Sequence, residues 1–171
     1  RYLIGILIGL CMGQVAKAGQ VEIIYGLSPN QPTRLHFVGE IELGDLDKLV
    51  SAHATVSSRL GFCGSDTGGM NCEVTLSSPG GSLLEGMLIG KWIWDNSIPT
   101  RLTAGSLCAS ACSLAFLGGT FMYANARGPM KVIEANSYLG FHGVSTSTDE
   151  QIELNTALEI SRSLDSAILR Y

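Results

Sequence analysis

The stretch EVTLSSPGGSLLEGMLIGKWIWDN, Glu73 to Asn96, changes its periodicity across a single turn. Glu73 to Ser78 is a short β-type run that stops at Pro79-Gly80-Gly81. Ser82 to Asn96 then reads as a helix, with Gly86 and Gly90 on one small face suited to close packing. The next segment follows the same order: TRLTA, Thr100 to Ala104, predicts a strand, and AGSLCASACSLAFLGG, Ala104 to Gly119, contains a helix. Strands alternating with helices imply an α/β fold with a mostly parallel sheet and crossover helices. In such sheets chemistry sits at the carboxyl ends of strands, where both of these turns fall.

Outward from this centre, Val21 to Tyr25 and Arg34 to Ile41 read as strands. Leu46, Leu49, Val50, Val56 and Leu60 recur at helical spacing over Asp45 to Leu60. FMYA, MKVI and SYLGFH (Ser137 to His142) predict further short strands. Ser147 with Glu150 forms a capping-box pattern before a long helical run through Ile152, Leu158, Leu164 and Ile168.

The 171 residues suffice for one domain with a real core. The net charge of −4 and the absence of any Lys/Arg cluster exclude nucleic acid as a partner. Behind Arg1, the apolar run LIGILIGLCMG (Leu3 to Gly13) leads to Ala16-Lys17-Ala18, a small-x-small pattern of the kind signal peptidase reads. Residues 1–18 are therefore expected to be a signal peptide, with 19–171 the mature domain, periplasmic or secreted. A buried N-terminal strand or helix is the plainer alternative, and retention as a membrane anchor a further one, although the run falls short of the about 20 apolar residues of a spanning helix.

Export leaves Cys63, Cys72, Cys108 and Cys112, an even number in an oxidising compartment. The close pairs predict Cys63–Cys72 and Cys108–Cys112 bridges, against a four-cysteine zinc site or free buried thiols.

Ser110 is expected at or near the first turn of its helix, between Ala109 and Ala111, which leave room for a substrate carbonyl. Unpaired N–H groups and the positive end of the helix dipole collect at such a position. Ser106 and Ser113 are the alternative serines, the first as a helix cap and the second further into the helix. A serine nucleophile needs a base. His36 in a strand and His53 on a helix stripe read as structural, so His142, at a strand end before Gly143, is the base by elimination. Pro79-Gly80-Gly81 lacks the lysine of a phosphate loop and offers bare N–H groups for an oxyanion.

In order, LSSPGGSLLEG, CASACSLAFLGG and SYLGFHG resemble the Clp-protease/crotonase superfamily, above all the Clp proteolytic subunit and exported Clp-like proteins of bacteria. The resemblance runs from about Arg34 to the final helix. It implies repeated ββα units, a serine peptidase without cofactor or metal, Ser110 as nucleophile, His142 as general base, and Gly81 and Ala111 as the oxyanion-hole N–H groups. The family's Asp would follow the long helix, where this chain is expected to be truncated; Asp149 and Asp165 are the weak candidates present. The implied partner is a peptide or protein substrate, with homo-oligomeric assembly as a further option. Two other readings share the fold: a non-catalytic exported binding or assembly domain, and a crotonase-type acyl-CoA enzyme, disfavoured by export. A Ser-Lys variant would draw on Lys91 or Lys131, the lysines near the motifs, but the sequence places neither beside Ser110.

Overall fold

The computed structural model describes residues 18–28, 31–66, 69–124 and 126–141. In chain order these form β1 (Gln20–Ile24), β2 (Thr33–Val38), α1 (Asp45–Leu60), β3 (Ser65–Asp66), β4 (Gly69–Met70), β5 (Cys72–Ser77), α2 (Leu83–Asp95) and β6 (Thr100–Leu102). There follow β7 (Leu107–Ala109), α3 (Ala111–Leu117), β8 (Thr120–Tyr123), β9 (Ala126–Pro129), β10 (Lys131–Ile133) and β11 (Tyr138–Gly140). The expected signal peptide through Lys17, the helix after Thr148, His142, Asp149 and Asp165 lie outside the described residues.

The main sheet runs β1-β2-β5-β6-β10. From β2 onward its neighbours are parallel, while β1 pairs antiparallel with β2. The α/β class and the mostly parallel sheet are thus as the sequence predicts. Leu35 and Phe37 of β2, Val74 and Leu76 of β5, and Leu102 of β6 bury one face against Leu49, Val56, Ile89, Ile93 and Phe116 of the helices. Burial of such side chains contributes roughly 1.5–3 kcal/mol each.

The opposite face is polar. Buried Glu73 of β5 accepts from Arg34 Nε of β2 at 3.1 Å and from Arg101 Nε of β6 at 2.9 and 3.0 Å. Arg101 Nη1 continues to Glu134 at 3.2 Å, just past β10. The Ala104 N–H holds the Glu134 carboxyl below the usual carboxylate range; desolvation opposes it, and the Arg101 hydrogen bond and charge add to the lowering.

The helices are tied by small residues and by one carboxylate. A Cβ on Gly86 would strike the backbone of Ala111, and one on Gly90 would lie 2.6 Å from the Leu114 carbonyl, so α2 and α3 meet along the expected glycine face. Ser82 caps α2, its Oγ accepting the Glu85 N–H at 3.3 Å. The Glu85 side chain instead reaches α1, accepting the Leu46 N–H at 2.7 Å. An anion there satisfies one of the donors that a helix start leaves open.

Both expected disulfides are present: Cys63–Cys72 and Cys108–Cys112, each with Cα atoms 5.2 Å apart. The four cysteines therefore form neither a zinc site nor free thiols. Such bridges form and persist in oxidising compartments, consistent with a protein outside the cytoplasm. Among the described residues no helix is long and apolar enough to cross a membrane.

Candidate active site

Strand β6 stops at Leu102, two residues earlier than the sequence predicts, and the chain turns through 103–106 into β7, which the sequence reading placed inside the helical segment. β7 pairs in parallel with β11, Leu107 opposite Tyr138 and Ala109 opposite Gly140. On its other edge it meets the end of β5: Ser78 donates its N–H to Leu107 O at 2.6 Å, and its carbonyl accepts the Ala109 N–H at 3.1 Å. This small second layer delivers the chain to Ser110.

Ser110 is the N-cap of α3, with φ 56 and ψ −124. A residue with a Cβ rarely adopts such a backbone, which costs on the order of 1–3 kcal/mol and persists only where the surroundings hold it. The holding contacts are specific. The Ser110 N–H donates to Gly140 O at 2.9 Å, and the Ser110 carbonyl accepts the Ser113 N–H at 2.9 Å. Gly80 comes so close that a Cβ there would sit 2.7 Å from both Ser110 Cβ and Ala109 O. Its own N–H is fixed by Ser78 Oγ at 3.0 Å. Amid these restraints, the half-buried Ser110 side chain makes no hydrogen bond among the described residues.

Two N–H groups nearby lack acceptors among the described residues. Ala111 is the first residue of α3, where no intrahelical acceptor exists. Gly81 (φ 138) is bridged to Ile41, which receives the Ser82 N–H at 2.8 Å and donates to Gly80 O at 2.7 Å. Both of those bonds use Gly81's neighbours, so its own N–H faces the opposite edge.

The other sequence candidates separate cleanly. Contrary to the sequence expectation, Ser106 does not cap the helix; its Oγ pairs with Thr103 Oγ1 at 2.8 Å in the turn before β7, and Ser110 is the N-cap. Ser113 is fully buried in α3, its hydroxyl directed to Gly140 O at 2.6 Å and to Cys108 O at 3.2 Å. This tie between α3 and β11 was not foreseen, since a serine among alanines carries no sign of a distant carbonyl. His36 Nδ1 lies 2.8 Å from Thr75 Oγ1, and His53 Nε2 lies 2.9 Å from Cys63 O with its ring edge-on to Trp92. Lys91 pairs with Asp95 at 2.6 Å. Lys131 opens β10 opposite Thr100, the first residue of β6, at the far end of the sheet from the carboxyl ends; burial lowers its pKa. Neither position favours a Ser-Lys arrangement, in line with the sequence, which offers no lysine beside Ser110. His142 follows two residues after Gly140, the residue bonded to Ser110, and itself lies outside the described residues.

Comparison with family models and with curated proteins finds no match. Any assignment of function therefore rests on this geometry and on the sequence motifs.

Burial also sorts the serines experimentally. Ser113→Ala should cost about 1 kcal/mol in chemical denaturation, the usual worth of a buried hydrogen bond, because Gly140 O keeps the Ser110 N–H. Chemistry at Ser110 should survive it. Loss of that chemistry in a folded Ser113→Ala protein would make Ser113 more than a structural tie.

Proposed function

We propose that the chain is an exported serine peptidase of the Clp-protease/crotonase type. The observation that carries this reading is Ser110, held at positive φ at a strand-to-helix turn, its hydroxyl without a hydrogen bond and two neighbouring N–H groups without acceptors among the described residues. Ser97, Ala124 and Asn136 also take positive φ, but of these four residues Ser110 is the one that passes directly from a strand into a helix, where a nucleophile can be presented to substrate.

The succession of elements supports the repeated ββα architecture. β2, β5 and β6 are each followed by a short bridged segment and then a helix: Glu40-Ile41 before α1, Gly80-Gly81 before α2, and β7 before α3. The parallel bridges Ile41 to Gly81 and Ser78 to Cys108, with the β7–β11 pair, run across these segments.

In this reading Ser110 Oγ attacks a peptide carbonyl while His142 takes its proton. His142 then gives that proton to the leaving amine, and water hydrolyses the acyl-enzyme by the same route. The Gly81 and Ala111 N–H groups stabilise the oxyanion. An extended peptide would lie along the sheet edge. Two disulfides support an exported location.

The test is treatment of the purified protein with a fluorophosphonate, followed by peptide mapping. One adduct per chain, on the peptide carrying Ser110, is expected. Adducts on other serines at equal rates, or none, would overturn the reading.

A further inference from the structure

We infer that the Cys108–Cys112 disulfide positions the nucleophile, so that its opening disables Ser110 while leaving the domain folded. The inference rests on the peptidase reading above and names a role that reading does not require.

The bridge spans the residues on either side of Ser110, and its Cα atoms are 5.2 Å apart over a separation of four. A strand continuing through the same residues would carry those atoms about 13 Å apart. The covalent link therefore excludes extension of β7 through Ser110 and forces the reversal between Ala109 and Ala111, where φ is 56. Both cysteines are fully buried, one in β7 and the other in α3, so the bridge is anchored at each end in packed structure. The remaining restraints on Ser110 are non-covalent: the Gly140 carbonyl, the approach of Gly80 and the Ala111 contact with Gly86. Cys63–Cys72 closes a different loop, between α1 and β5, and touches none of these groups; it is the internal control.

The experiment compares Cys108→Ala/Cys112→Ala with Cys63→Ala/Cys72→Ala, reading two quantities on the folded fraction of each. The first is the second-order rate of fluorophosphonate labelling. It should fall roughly 10- to 100-fold in the first variant, the change that a disfavoured backbone region corresponds to, and stay at the wild-type value in the second. The second is hydrogen exchange at the Ser110 amide, which donates to Gly140 O and should lose protection in the first variant alone. A merely stabilising bridge would leave both unchanged in folded protein. Should the double-alanine variant not fold, Cys63→Ala/Cys72→Ala protein is reduced with a phosphine until mass spectrometry shows both remaining thiols free, then reoxidised. Labelling should fall and return. Unchanged labelling and unchanged Ser110 protection with the bridge open would overturn the positioning role. A wild-type chain that never labels overturns the peptidase reading, and the role with it; the two failures are told apart by the wild-type result.

Discussion

Ser110→Ala is expected to abolish fluorophosphonate labelling and peptide hydrolysis while leaving the stability of the fold within about 0.5 kcal/mol. The hydroxyl makes no hydrogen bond among the described residues, so its removal frees no buried partner. Alanine suffers the same backbone strain at φ 56, so nothing is relieved either. Ser110→Gly separates strain from chemistry. Glycine adopts positive φ without penalty, so this variant should be equally inactive yet more stable by about 1 kcal/mol in urea titration. Stability gained where activity is lost is the signature of strain kept for function. His142→Ala should lower labelling by several orders of magnitude, because an unassisted serine is a poor nucleophile at neutral pH. Labelling that is equally fast with and without the Ser110 hydroxyl would leave a non-catalytic binding domain as the better reading.

Most of the architecture was legible where local signals and tertiary structure agree. The apolar spacing of Leu46, Leu49 and Val56 marks α1, which spans the residues the sequence predicts, Asp45 to Leu60. The turn-formers Pro79-Gly80-Gly81 mark the end of β5. The strand predicted from Arg34 to Ile41 is shorter, Thr33 to Val38, because Gly39 takes φ 111 and turns the chain out of the sheet. What the sequence hides is structure made by distant partners. Leu107-Cys108-Ala109 has no β-branched residue and continues into a run of small helix-compatible residues, so it reads as helix. It becomes a strand through Ser78 on one side and Leu139 on the other. Ala126 to Pro129 is disguised in the same way by alanine, glycine and proline, and forms a strand by pairing with β8.

The candidate site was half legible for a related reason. Two cysteines four apart around one serine, and a glycine pair at a strand end, are visible as letters. The positive φ of Ser110 is not, since serine carries no mark of the backbone region it is forced into. That Gly80 faces Ser110, leaving no space for a Cβ, depends on two turns brought together from positions thirty residues apart (80 and 110). Ser106 illustrates the converse error. A serine before a small-residue helix reads as its cap, but the intervening strand moves the helix start to Ser110.

Glu73→Ala should be among the most destabilising single changes in the sheet, by about 3 kcal/mol in denaturant titration. The carboxylate is 1% exposed and bonded from both sides, by Arg34 of β2 and Arg101 of β6. Truncation leaves two guanidinium groups facing an empty space in the middle of the polar face. An uncompensated buried charge usually costs about 3–5 kcal/mol. The lower end applies because Arg34 is 40% exposed and can turn to water, whereas Arg101, at 21%, stays tied to Glu134. Burial lowers the Arg101 pKa, but the bonds and charges of Glu73 and Glu134 together outweigh it and raise it. With Glu73 replaced that support is reduced, and the guanidinium still stays charged because arginine does not deprotonate at ordinary pH. Glu73→Gln keeps the volume and one acceptor oxygen between the arginines, and loses the charge and the second acceptor. It should therefore cost clearly less than the alanine variant, about 1–2 kcal/mol. The ordering of the two variants is the decisive observation. Equal losses would mean that the charge, which both variants lose, rather than the volume and acceptor oxygen that glutamine keeps, makes Glu73 necessary. A negligible loss in both would mean that the arginines find other partners across the sheet.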